Sequence, residues 1–146
     1  MKKILASSAL IIALCLTVSC TDKQLQSANK YVVDYAASIT VVDKTVIDLE
    51  AKQLITTPAA REILDILKRA NKAGQQVKDI LGAISKVDPQ SKAQIIGILD
   101  ATSASLDPTT IEEVLGIKDA AARVSVESGL TAVRTVITSI RVAIGG

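Results

Sequence analysis

The sequence predicts an all-α protein, an up-and-down bundle of four main helices with one short connector helix. Three observations point there. Apolar residues recur at steps of three and four over most of the chain, the period of a helix face and not of a strand. Pro58, Pro89 and Pro108 each follow a Thr or Asp suited to cap a helix start. The periodic segments are joined by only a few residues, which favours antiparallel neighbours.

The first helix is expected over Asp22–Leu54, roughly 50 Å at ~1.5 Å per residue. Leu25, Ala28, Val32, Tyr35, Ile39, Val42, Val46 and Leu49 form a heptad seam. Lys30/Asp34, Lys44/Asp48 and Asp48/Lys52 fall at i,i+4 on its other side. Many of these residues are β-branched and only middling helix formers, so burial of the seam must hold the helix.

A second helix is expected from Pro58, capped by Thr57, to about Ser85. Its seam reads Ile63, Ile66, Ala70, Ala73, Val77, Ile80 and Ile84, flanked by Leu64, Leu67 and Leu81. Gly74 and Gly82 either weaken it or let a neighbour come close. A third helix, capped by Asp88, runs from Pro89 to about Ser103 with Ile95, Ile96, Ile98 and Leu99 as its apolar residues. The connector is placed from Pro108 to near Gly116, with Asp107 as cap and a hydrophobic staple between Leu106 and Ile111.

The last segment, Ile117–Ile144, is the most apolar. Val126, Leu130, Val133, Ile137, Ile140 and Ile144 make its seam, and Gly145-Gly146 supply a C-terminal stop. Its opposite face, Val124, Ser128, Thr131, Thr135, Thr138 and Val142, carries no charge. A surface helix ordinarily puts charge there, so this face is expected to be buried within the fold, the other option being a partner or lipid. Arg123, Arg134 and Arg141 are spaced by eleven and seven and so share one flank. They read as a solvated flank with Glu127 as partner of Arg123, or as a contact for anionic lipid or an acidic protein surface.

Ahead of these helices, Lys2 and Lys3 precede an uncharged run from Ile4 to Val18, and the run closes on Leu16-Thr17-Val18-Ser19-Cys20. A basic start, a short apolar core and a small residue at the cut are the parts of an export signal. The run falls short of the ~20 residues that span a bilayer, although a permanent anchor and ordinary signal-peptidase cleavage stay open. With Cys directly after the small residue, the segment resembles the lipobox of bacterial lipoprotein precursors; Thr17 stands where that pattern usually carries Leu. The resemblance implies cleavage after Ser19 and lipid on Cys20. Residues 1–19 would be a signal peptide and 20–146 a single lipid-anchored domain. Thr21 after the Cys, where lipoproteins of this class retained at the inner membrane usually carry Asp, implies the periplasmic face of the outer membrane in a two-membrane cell. Cys15 leaves with the leader, so no disulfide is available and the core alone holds the fold.

Composition excludes several chemistries. The chain has 17 Lys and Arg against 15 Asp and Glu, and Lys2 and Lys3 account for the difference, so past the leader the signs balance. With no Phe or Trp, two Tyr and no basic run, nucleic-acid binding is not expected. The absence of His removes Ser-His-Asp triads, His-bound metals and the Glu-x-x-His pairs of di-iron bundles. No glycine-rich phosphate loop occurs. Glu112-Glu113 suit the first turn of a helix; Asp48 near Glu50 is a second carboxylate pair, and Asp43 reads as a residue at the seam's rim. No catalytic residue, cofactor site or metal site is therefore expected. The functional expectation is a non-catalytic, lipid-anchored helical module that binds another protein of the cell envelope. The alternatives are a membrane-perturbing or exclusion-type lipoprotein whose last helix touches lipid, and a carrier of a small apolar ligand.

Overall fold

The computed structural model describes the chain from Ile4 to Gly146, with side chains described for residues 23–146 except Glu113 and Leu115. The expectations placed on Met1–Asp22, including lipid at Cys20, concern side chains outside the described residues. Five helices follow one another: α1 (Ile4–Ala51), α2 (Thr57–Ala83), α3 (Pro89–Ser105), α4 (Glu112–Leu115) and α5 (Ala120–Ala143). Helix α1 packs on α2 and α5, α2 on α3, and α3 on α5, whereas α1 and α3, and α2 and α5, lie on the diagonals. The four long helices thus form a square up-and-down bundle, and α4 closes one end across α2 and α5.

The seams place the core. Ala28, Val32, Tyr35, Ile39, Val42, Val46 and Leu49 of α1 are buried, as are all six seam residues of α5, including Ile144 just past its end. On α2 the buried line is rotated from the expected one. It runs through Ile63, Ile66, Leu67, Ala70, Gly74, Val77 and Leu81, leaving Ala73, Ile80 and Ile84 half-buried. The cause is Gly74, which carries no side chain and yet faces the core. An ideal Cβ there would lie 2.5 Å from the Tyr35 ring, so only glycine lets that ring seat against α2. The Tyr35 hydroxyl donates to the Ala70 carbonyl at 2.8 Å. Gly129 does the same for α5, where a Cβ would meet Val42 at 2.9 Å. Gly82 faces open space and allows no such approach.

The helix starts follow local chemistry, with two shifts. Thr56, not Thr57, caps α2 and accepts from the Ala59 amide at 3.3 Å, which puts Pro58 inside the first turn. Asp88 caps α3 as expected, accepting from the Gln90 and Ser91 amides at 2.9 Å, and Ser91 closes the capping box. Asp107 does not start a helix. Its carboxylate accepts from the Thr109 amide at 3.0 Å and the Thr109 hydroxyl at 2.7 Å, which locks Asp107–Thr110 into a turn. The connector therefore shrinks to α4, which begins at Glu112 with no side-chain cap. Leu106 and Ile111 are nonetheless both buried. Asp119 caps α5 by accepting from the Ala122 amide at 2.7 Å.

The ends of α1 and α5 use one motif with different residues. After α5, the Gly146 amide bonds the Arg141 carbonyl at 2.8 Å and the Gly145 amide bonds Val142 at 3.0 Å, with Gly145 left-handed at φ 78°. After α1, Leu54 bonds Leu49 at 3.0 Å and Gln53 bonds Glu50 at 2.8 Å, but the left-handed residue, at φ 59°, is Gln53. A non-glycine residue in that region costs about 1–2 kcal/mol, partly offset by the smaller unfolded-state entropy of a residue with a Cβ. Gln53→Gly should therefore raise the unfolding free energy by about 0.5–1 kcal/mol in a denaturant titration. A loss of stability would mean that the Gln side chain contributes more than the backbone strain costs.

Candidate functional site: the uncharged outer face of α5

Helix α5 carries two seams on opposite sides. One is the core line through Val126, Leu130, Val133, Ile137 and Ile140. The other is Val124, Ser128, Thr131, Thr135, Thr138 and Val142, and all six are exposed, Val124 at 56% and Val142 at 67%. The expectation of burial is corrected. In a square bundle α5 touches α1, α3 and α4 but not α2, so among the described residues no element covers its back. The missing charge on this face comes from sequence, not from shielding within the fold.

Two hydroxyls of this face, and two on its flank, are turned inward by their own helix. Thr135 donates to the Thr131 carbonyl at 3.0 Å, Thr138 to Arg134 at 3.2 Å, Ser139 to Thr135 at 3.2 Å and Ser125 to Ala121 at 2.9 Å. With an acceptor one turn back, Thr135 and Thr138 present their methyl groups outward. Around these two residues the surface is polar by composition and close to apolar in what it asks of a partner. Beside it, a groove of about 520 Å³ runs between α5 and α1, with Tyr31 and Ser27 on one wall and Thr135, Thr138 and Val142 on the other.

The three arginines border this face, and their charge is engaged within the fold. Arg123 lies 3.7 Å from Glu127 on the same helix. Arg134 reaches Asp107 at 3.2 Å and sets its Nε 3.4 Å from the Ser103 hydroxyl, and Arg141 reaches Asp100 at 2.9 Å. Lys92 donates to the Gly145 carbonyl. The Arg134, Arg141 and Lys92 contacts tie α5 to α3 and to the turn that follows it. Only the Glu127 partner was foreseen, but a signal for the others exists: Asp100 and Asp107 are seven apart, as are Arg134 and Arg141, and antiparallel helices bring the two spacings into register.

Other candidates stay apart. Glu112 is exposed at the start of α4, and Asp48 pairs with Lys52 at 2.6 Å on the surface. Asp43 is half-buried, and desolvation pushes its carboxyl up. Among the described residues no three His, Cys, Asp or Glu side chains converge to hold a metal, and no helix is long and apolar enough to cross a membrane. Comparison with protein-family models, with curated proteins and with solved structures finds no match in any of the three.

Thr109's hydroxyl and amide, with Arg134 adding a smaller pull, hold the Asp107 carboxyl below its ordinary value, and the Ser91 and Gln90 amides do the same for Asp88. A carboxylate favoured in the fold contributes stability above its unfolded pKa near 3.9, and that contribution is lost as pH falls through the lower folded value. The thermal midpoint should therefore drop on acidification below about pH 4. Asp107→Asn should lower the midpoint at pH 7 and flatten part of the acid limb. An unchanged acid limb in that variant would remove Asp107 from this role.

Proposed function

We propose that the chain is a membrane-anchored lipoprotein whose helical bundle has no catalytic role and binds a protein partner in the cell envelope through the outer face of α5. The single observation that carries this is the exposed, charge-free face along the whole of α5. Soluble monomers rarely leave a continuous surface of this kind without a use for it. The anchor rests on the leader, where the uncharged run ends at Ser19-Cys20. Cys20 precedes Lys23 by three residues, about 5 Å of helix, so lipid there would hold the bundle by the end where α1 enters and α5 terminates. Contact with lipid through the arginines is the weaker reading, because Arg134 and Arg141 already pair with Asp107 and Asp100.

Two measurements test this. Cys20→Ser should abolish labelling by a fatty-acid probe and leave a larger, unprocessed precursor. Normal processing of the variant, together with an unlabelled wild type, would refute the anchor. On α5, neighbouring residues should behave oppositely. Ile137→Ala should cost about 2–5 kcal/mol because that side chain is fully buried. Thr138→Lys, alone or with Thr131→Lys, should change stability by no more than about 0.5 kcal/mol per site while removing protein association in a pull-down of the anchored chain. Unfolding by the lysines, or association that survives them, contradicts the assignment of this face.

A further inference from the structure

Resting on that reading, we infer that the protein covering the outer face of α5 is a second copy of this chain, paired in parallel about a twofold axis along the helix. The first reason is periodicity. Val124, Ser128, Thr131, Thr135, Thr138 and Val142 step by four, three, four, three and four, the spacing at which one helix meets another, and the run extends over most of α5 on its solvent side.

The second reason is charge. In an isologous interface each residue near the axis meets its own copy, so any charge there meets a like charge. This face carries none, and the nearby Arg134 and Arg141 are drawn off toward α3 by Asp107 and Asp100. A different partner is ordinarily selected and aligned by complementary charge, which this surface does not offer. The face suits itself. The Thr135 and Thr138 hydroxyls already donate to α5 carbonyls, so pairing strands neither, while Ser128 and Thr131 meet their own copies, where one hydroxyl can donate to the other.

The third reason is area. A 24-residue helix is about 36 Å long and about 11 Å wide, so α5 alone offers on the order of 400 Å² per copy, half of the ~800 Å² typical of a stable interface. Ser27 and Tyr31 of α1, which line the adjoining groove, extend it toward that size. An interface of this extent is weak in dilute solution and strengthened on a membrane, where tethering raises effective concentration. Anchors at the same end of both copies also make the α5 helices parallel and in register.

The test is disulfide trapping in the full chain, expressed and anchored in bacterial membranes. Ser128→Cys or Thr135→Cys, treated with an oxidant, should give a product of twice the chain's mass. Gln76→Cys on the exposed side of α2 should not, and adding Thr131→Lys and Thr138→Lys should abolish the product. Equal dimer from Gln76→Cys would reduce the result to random collision and overturn the pairing. An adduct of some other mass would overturn the second copy while keeping the protein-binding face. If no adduct forms, a water-soluble maleimide separates what remains. Labelling of Ser128→Cys as fast as Gln76→Cys, or protection without any protein adduct, overturns both the pairing and the protein-binding reading, the second outcome pointing to lipid.

Discussion

The seating of the Tyr35 ring on Gly74 is the contact on which the rest of the bundle depends. Tyr35 is the largest fully buried side chain among the described residues, and this burial pushes its ionisation above the ordinary phenol value. Its hydroxyl must find an acceptor because an unpaired donor out of water is costly. It finds the Ala70 carbonyl, one turn before the glycine that makes room for the ring. Ring and hydroxyl together fix both the distance between α1 and α2 and their register. Gly129 against Val42 repeats the device with α5. Since α1 is the helix that both neighbours approach closely, the two glycines set the spacing of the core.

The opposite corner is held differently. Helix α3 presents a short apolar line, Ile95 and Leu99, and buries Ser91 and Thr102 beside it. Thr102 satisfies its hydroxyl on the Ile98 carbonyl at 2.7 Å. Toward α5 the apolar contact is supplemented by Arg134 with Asp107 and Arg141 with Asp100. Half-exposed pairs of this kind contribute little energy each. Their use is directional: they draw the arginines to one side and leave the outer face of α5 free of charge. The stapling of α3 and the presentation of that face are thus one arrangement.

Much of this was legible in the residues, and the failures have physical causes. The seams of α1 and α5 and the Asp88-Pro89 start could be read directly, because apolar period and cap chemistry agree there. The α2 seam was misplaced because Gly74 looks like a weak point to a hydrophobicity pattern, although the ring that fills its notch comes from another helix. Asp107-Pro108 looks like a cap, but Thr109 captures the carboxylate in a turn first. The end of α1 had no glycine to announce it, since Gln53 takes the left-handed place. Lack of charge on the back of α5 suggested burial. Sequence reports what a face is made of, whereas its cover depends on which helices become diagonal. Lipid on Cys20 rests on the leader alone.

The central constraint is tested most directly by a double-mutant cycle between Gly74 and Tyr35, read as unfolding free energy. With Tyr35 present, Gly74→Ala should destabilise, because its methyl group collides with the ring. With Tyr35→Val, where the ring is gone, the same change should turn neutral or stabilising by up to about 1 kcal/mol, the ordinary helix preference for Ala over Gly. A change of sign is the predicted result. Equal effects of Gly74→Ala in the two backgrounds would contradict the claim that this ring in this notch sets the packing of the bundle.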